Sequence, residues 1–462
     1  MKSVNDIIAA ISTPPGKGGV ALIRISGKGA FDIAERIFKA RSGKPLCELR
    51  PRYQIYGDVY DGDEVLDDVL LTKFPEGASY TGEESVEISC HGGMLVTRTL
   101  LEVVFRAGAR EAMAGEFTRR AFINGRLSLS EAEAVGNLLE AKTREQIRLS
   151  GATSRSRLSE RIGAIRESLV SLMSSMFARI DYPEEDLGDF SDSEALSILN
   201  KVKCELHSLI DSYKTGKAIS EGISAVICGK PNAGKSSIYN LLLGEGAAIV
   251  TDIRGTTRDV LTSSLSLGRV MLNISDTAGI REDEGIDIVE RLGIERSLEM
   301  LEKSELIFTI FDASAPLDED DMKIIDRVKN VDGVKLAVLN KCDKGAVISE
   351  GDLPCVFDMT LSVSAKDEKS RERIADAVER LFTDEKIVVG ESAIVFTARQ
   401  SAELKRCLEF VELSVEALAS GFGQDAVASD VERAISAISE LDGREVSETV
   451  VSDIFKKFCV GK

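Results

Sequence analysis

Residues Gly229-Lys-Pro-Asn-Ala-Gly-Lys-Ser-Ser237 directly follow the apolar run Ala225-Val226-Ile227-Cys228. Few short segments restrict a fold as tightly. The pattern G-x-x-x-x-G-K-[ST] after a strand and before a helix is the phosphate-binding loop of parallel α/β sheets. Gly229 and Gly234 let the backbone curl so that successive N–H groups, from Asn232, Ala233 and Gly234 through Lys235, Ser236 and Ser237, face phosphate oxygens. The helix starting near Lys235 adds the positive end of its dipole. Lys235 reaches the β- and γ-phosphates, and Ser236 offers a magnesium (Mg2+) ligand. The competing reading of these nine residues alone is a glycine-rich turn.

The loop stands mid-chain. At 462 residues the sequence is too long for one core, and at roughly 150 residues per domain it predicts about three. No apolar stretch is long enough to span a bilayer, and the first residues lack the form of a signal peptide. Eight cysteines without a C-x-x-C pair suggest neither a zinc site nor a disulfide framework, so a reducing, cytoplasmic setting is the expectation. The net charge of −19 is concentrated in residues 223–390 and nearly absent from residues 1–120. This argues against a protein that coats DNA or RNA generically. Any RNA contact needs a local basic surface, for which Arg119-Arg120 with Arg126, or the series Arg144, Arg148, Arg155, Arg157 and Arg161, are candidates. The plainer reading of that series is a solvated helix face.

The periodicity predicts the rest of the plan. Residues 1–120 alternate short β-like runs (Val20–Ile25, Val69–Thr72, Val86–Ile88) with helices over Ala30–Lys39 and about Leu95–Arg106, an α+β domain. Leu158, Ile162, Ile165, Leu169, Leu172, Met176 and Ile180 mark one face of a long helix, which Pro183 and its charged neighbours break. Helical spacing returns at Leu404, Leu408, Val411, Val415 and Leu418, then at Val431, Ile435 and Ile438. Between these blocks lie the strands Ala225–Cys228, Val270–Ile274, Leu306–Phe311 and Val334–Leu339 of a parallel sheet. The economical architecture is α/β and α, multi-domain: an N-terminal domain over 1–120, a discontinuous helical domain over 121–222 and 387–462, and a nucleotide domain over 223–386 inserted between its two parts.

Four more segments follow the phosphate loop in a telling order. Gly255-Thr256-Thr257-Arg-Asp259, on a switch segment after Thr251-Asp252-Ile253-Arg254, offers Thr257 as a second magnesium ligand, and Asp276-Thr277-Ala278-Gly279 ends a strand beside the γ-phosphate. In Asn340-Lys341-Cys-Asp343 the Asp343 carboxylate can accept guanine N1–H and N2–H together, which adenine cannot supply. Ser364-Ala365-Lys366 closes the base pocket with a backbone N–H. Together the five imply a protein that binds and hydrolyses GTP. Ile280 follows Gly279 where Ras-like proteins carry the glutamine that orients the attacking water, so hydrolysis requires another arrangement. Asn232, with main-chain carbonyls near Thr251 and Ile253, suits potassium (K+) between the phosphates, unless it is only a turn residue. Glu282, Asp283, Glu284, Asp287 and Glu290 are candidates to orient the water.

Pro14-Pro-Gly-Lys-Gly-Gly19, Ser79-Tyr-Thr-Gly-Glu-Glu84, Cys90-His-Gly-Gly93, Gly115-Glu-Phe-Thr118, Ala121-Phe-Ile-Asn-Gly125, the GTPase set and Phe458-Cys-Val-Gly-Lys462 resemble the MnmE (TrmE) family of tRNA-modification GTPases over the whole chain. Departures are small: Glu84 stands where Asp is usual, and Val460 replaces Ile. The resemblance implies a homodimer joined through a folate-binding-like N-terminal domain. It also implies a partner, the MnmG (GidA) flavoprotein, and a carboxymethylaminomethyl or aminomethyl group placed on carbon 5 of the tRNA wobble uridine. A 5-formyl- or 5,10-methylene-tetrahydrofolate supplies the one-carbon unit. By motif, the folate site maps to Arg24, Glu87, Arg126 and Lys462. Read from residues alone, Arg24 and Glu87 are rather a structural ion pair. The resemblance also assigns potassium to Asn232, Thr251, Ile253 and Thr256, magnesium to Ser236 and Thr257, and the water-directed glutamate to Glu290. It points to Cys459 as a thiol near the folate pocket. His207 is an ordinary helical residue and His91 shapes its glycine-rich loop. The alternative from another class is a ribosome-assembly GTPase, which would carry a basic RNA-binding domain in place of residues 1–120. No membrane or DNA partner is expected.

Overall fold

A computed structural model describes residues 6–181, 191–244, 248–249, 262–275, 300–422, 424–443, 447–456, 458 and 460–461. They pack as two units, Met1–Leu139 with Ser436–Lys462, and Glu140–Ile435.

The first unit contains β1 (Ile8–Ile11), β2 (Val20–Ser26), α1 (Ala30–Ile37), β3 (Phe38–Ala40), β4 (Ile55–Asp61), β5 (Glu64–Phe74), β6 (Ser85–His91), α2 (Met94–Arg106), β7 (Arg110–Glu111), α3 (Glu116–Ile123) and α4 (Leu129–Glu140). Its sheet runs β3-β4-β5-β6-β2-β1-β7, antiparallel except where β7 joins β1. Alternation along β2 and β6 sends Ile23, Ile25, Val86 and Ile88 into a core with Ala30, Ile33 and Ala34 of α1 and Leu100, Val103 and Val104 of α2. The helix expected over Ala30–Lys39 stops at Ile37. Phe38 turns extended (φ −121°, ψ 138°), pairs with Val59 and joins the core, because the sheet offers its ring more burial than another helical turn would.

Arg119-Arg120 does not form the basic surface considered above. The Arg120 side chain is 3% exposed and donates to Asp6, Glu83 and Glu116, and Arg110 donates to Asp6 and Glu116. Burial alone would raise the Glu116 carboxyl, but hydrogen bonds from Arg110, the Met113 N–H and Arg120 hold it below its usual range. Residues 447–461 return to this unit. Val451, Phe455 and Phe458 pack on Phe122, Leu129 and Ala132. Gly461 (φ 96°) lies so close to β1 that a Cβ would overlap the Ile11 carbonyl, and its own carbonyl accepts the Ser12 hydroxyl at 2.9 Å.

The second unit contains α5 (Arg144–Leu149), α6 (Ala152–Asp181), α7 (Asp192–Ser220), β8 (Ile223–Gly229), α8 (Lys235–Leu243), β9 (Ala248–Ile249), β10 (Thr262–Leu267), β11 (Val270–Ser275), β12 (Leu306–Asp312), α9 (Glu319–Lys329), β13 (Val334–Asn340), β14 (Met359–Ser362), α10 (Lys369–Phe382), α11 (Ala398–Ala419) and most of α12 (Gln424–Asp442). Leu158, Ile162, Ile165, Leu169, Leu172 and Met176 are all buried along α6. Pro183 and its charged neighbours lie outside the described residues. On α11 the buried face runs through Leu404, Cys407, Val411, Ser414 and Leu418, whereas Leu408 and Val415 are half-buried. The buried stripe thus takes in the small side chains of Cys407 and Ser414 between Leu404, Val411 and Leu418.

The nucleotide sheet runs β14-β13-β12-β8-β11-β10-β9. The five strands from β14 to β11 are parallel, and β10 is antiparallel to both neighbours. Successive connections leave β8 toward β11 on one side and β12 on the other, so a cleft opens at the carboxyl ends of these strands. Gly229, Asp312 and Asn340 end their strands on that edge.

Candidate nucleotide-binding site

The phosphate loop leaves β8 at Gly229 (φ 149°) and enters α8 through Gly234 (φ 101°). A Cβ at Gly229 would sit 2.5 Å from the Ile310 carbonyl, and one at Gly234 would overlap Asn340 Nδ2. Both glycines are therefore required by close approach as well as by backbone angle. Asn232 is itself left-handed (φ 62°) and exposed, as Ser236 is in the first turn of α8. Ala233 is fully buried. Lys235 Nζ donates to the Gly229 and Lys230 carbonyls, each at 3.0 Å, which keeps it at the mouth of the loop. Burial lowers its pKa. The side chain of Lys230 reaches the other way, to Asp318 (2.8 Å) and Asp321 (2.7 Å) at the start of α9.

The base-recognition segments are wired to this loop. Asn340 is buried. Its Nδ2 donates to the Ala233 carbonyl (3.0 Å) and its Oδ1 accepts the Ala365 N–H (3.1 Å), so one amide joins phosphate loop and base loop. Lys341, left-handed at φ 66°, donates to the Asn232 carbonyl and to Asp312 Oδ2, both at 2.5 Å. Asp343 accepts the Ser364 hydroxyl (2.8 Å) and faces Lys366 Nζ at 3.5 Å. The Ser364 bond, followed by Lys366, holds its carboxyl below the usual range, leaving an exposed anion for paired N–H donors.

Asp312 was missed in the sequence. Burial would raise its pKa, but hydrogen bonds from Lys341 and from the Ser314 hydroxyl and N–H bring it down to about 2. The signal lay in the register: Asp312 pairs with Asn340 across β12 and β13, at the end of both strands. Thr251, Asp252, Ile253, Arg254, Gly255, Thr256, Thr257, Asp276, Thr277, Ala278, Gly279, Ile280 and Glu290 lie outside the described residues. So do Cys459 and Lys462.

In the first unit, Arg24 and Glu87 face each other across β2 and β6, with Nε and Nη2 of Arg24 at 2.9 and 2.8 Å from Glu87 Oε1. Arg24 lies 5.2 Å from the ring centre of Tyr80 and 5.6 Å from that of Phe117. Tyr80 OH and Thr118 Oγ1 are 3.0 Å apart. Tyr80 and Phe117 are the residues of this cluster that spacing did not single out. Arg126 is exposed, its stem packed close to Gly82 of the same 79–84 loop. His91 turns to Asp67, donating its backbone N–H at 2.9 Å with Nδ1 at 2.7 Å, which raises the imidazole pKa.

A central strand running into a phosphate loop, with an Asn-Lys-x-Asp base segment bonded to that loop, defines a P-loop hydrolase of guanine nucleotides. Residues 129–459 match the MnmE helical domain, and residues 7–126 match the family described as GTP-binding protein TrmE N-terminus. The chain is 36% identical over 463 residues to the tRNA modification GTPase MnmE of Alkaliphilus oremlandii, covering 99% of this chain and 100% of that one. It is 37% identical over 460 residues to MnmE of Thermotoga petrophila (99% and 100% covered) and 38% over 458 residues to that of Caldicellulosiruptor saccharolyticus (99% and 99%). The chain belongs to the MnmE family of tRNA modification GTPases.

Proposed function

We propose that this chain hydrolyses GTP to carry a homodimer through the states in which carbon 5 of a tRNA wobble uridine is modified. It would act in the cytoplasm with the MnmG flavoprotein and a tetrahydrofolate one-carbon unit. The observation that carries the reading is that one chain bears two dissimilar polar sites. One is the guanine and phosphate scaffold of Asn232–Ser237, Asn340, Asp343 and Ser364. The other is the Arg24–Glu87 pair under Tyr80 and Phe117.

The donor sets fit the groups the reading requires. Asp343 supplies a carboxylate for the guanine edge, and the α8 N-terminus with Lys235 supplies donors for phosphate. Magnesium on Ser236 and Thr257, with potassium on Asn232, Thr251, Ile253 and Thr256, would neutralise phosphate charge. Glu290 would direct the water that Ile280 cannot. In the other site a guanidinium held against aromatic faces, with a carboxylate beside it, suits a flat heterocycle bearing N–H groups, and Arg126 and Lys462 suit the anionic tail. We assign residues 223–386 to the nucleotide domain and residues 121–222 and 387–462 to the helical domain, whose outer ends, 121–139 and 436–462, pack in the first unit.

The test is mass spectrometry of wobble uridines from cells lacking this gene, complemented with wild type, Asp343→Asn or Arg24→Ala. Wild type should restore the modified nucleoside and both variants should fail. Persistence of that nucleoside without the gene would overturn the proposal.

A further inference from the structure

A tRNA substrate raises the question of where an acidic chain meets a polyanion. Of the sequence candidates, Arg126, Arg144 and Arg157 are exposed but several of the others are engaged. Arg120 is buried among carboxylates, and Arg148 and Arg161 pair with Glu145 and Glu205. A different cationic surface stands on the free edge of the first unit's sheet. Edge strand β3 and the loop joining it to β4 expose Lys39, Arg41, Lys44, Arg50 and Arg52. Glu48 is the one acid in residues 39–54 of a chain with net charge −19.

Three of these cations are stacked on tyrosines. Lys39 Nζ lies 4.4 Å from the Tyr60 ring centre, Arg41 lies 5.2 Å from Tyr56, and Arg50 lies 4.3 Å from Tyr53. Tyr53 and Tyr56 are 52% and 48% exposed. At about 3.3 Å per residue the row from Tyr53 to Tyr60 spans roughly 23 Å, room for several successive phosphates. The bordering carboxylates are Asp58, which pairs with Arg41 at 2.6 Å, Asp68, which accepts the Tyr56 hydroxyl at 3.1 Å, and, beyond Tyr60 at the far end of the row, Asp61, which pairs with Arg106, and the exposed Asp63 and Glu64. Among the described residues, Lys39, Lys44, Arg50 and Arg52 make no ion pair with a carboxylate. A lysine on an edge strand also guards against strand pairing, but one charge suffices for that. Five cations, three of them propped on aromatic rings that restrict their rotamers, exceed the need.

We infer that this edge docks the phosphate backbone of the tRNA, an inference that rests on the family's tRNA substrate. Rings beside the cations leave partly exposed faces for an unstacked base. The test is tRNA binding by the full-length protein across a salt series, comparing wild type with Lys44→Gln/Arg50→Gln. Each lost phosphate contact lowers the salt slope by about 0.7–0.9. The double variant should therefore lose roughly 25- to 60-fold in affinity at 0.1 M salt and about 1.5 in slope. Its GDP affinity and sedimentation should be unchanged. Affinity and slope within twofold of wild type would overturn the inference. So would a changed oligomeric state accompanying the loss, which would assign the edge to a second copy. Absence of tRNA binding by wild type would instead refute the reading on which the inference rests.

Discussion

Asp312→Asn tests whether the end of β12 helps to hold the nucleotide site together. The substitution keeps the shape but removes the charge; its single amide oxygen can still accept from Ser314, while the amide nitrogen in place of the second carboxylate oxygen cannot accept from Lys341 Nζ. The native carboxyl is held at about 2 against an ordinary 3.8, with its side chain 17% exposed. At 1.36 kcal/mol per unit, that difference contributes about 2 kcal/mol at neutral pH. The sign follows from the direction. A carboxyl whose folded pKa is depressed stabilises the fold above its unfolded value and loses that contribution as pH falls toward the folded one. The gap between wild type and variant should thus be about 2 kcal/mol from pH 7 to pH 5 and shrink by about half at pH 3. The assay is urea unfolding followed by circular dichroism, since the chain has no tryptophan. The two units can unfold separately, so the transition to read is the one that added GDP shifts. A gap equally large at pH 3 and pH 7, or none at pH 7, would refute the electrostatic argument.

Two further perturbations address the same site. Gly234→Ala places a methyl against Asn340 Nδ2 at φ 101°, combining backbone strain of about 1–2 kcal/mol with a lost hydrogen bond of about 1. Affinity for a fluorescent GDP should fall about 30- to 160-fold with helix content unchanged; a loss under threefold would show that the loop tolerates a side chain there. GTP turnover in potassium should exceed that in sodium, and equal rates in the two salts would remove the monovalent cation assigned to Asn232.

What could be read in advance depended on how locally each feature is encoded. The phosphate loop and Asn340–Asp343 were legible because their chemistry requires fixed residue types at fixed spacing. Strands β8, β11, β12 and β13 were legible as apolar runs buried on both faces. Strand β4 was not, since Tyr56, Gly57 and Asp58 interrupt its apolar run, and β1 is too short to announce itself. The end of α1 was misplaced because Phe38 answers to Val59, far along the chain. Asp312 and the Lys39–Tyr60, Arg41–Tyr56 and Arg50–Tyr53 stacks also escaped notice. All but the Arg50–Tyr53 stack, which is three residues apart and was simply not singled out, are pairings made across strands, and no local pattern records them. The arginine pair at 119–120 shows the converse error, a local cluster whose meaning is reversed by distant Asp6 and Glu83.

The return of residues 447–461 to the first unit sets an order of events during synthesis. Phe122, Leu129 and Ala132 emerge early, yet Val451, Phe455 and Phe458, which cover them, emerge about 300 residues later. At roughly 5–20 residues per second the ribosome leaves that apolar surface uncovered for about 15–60 s. Within that interval residues 140–435 can complete their own sheet. The first unit to begin is the last to be finished, and its nascent form presents the apolar surface that chaperones bind.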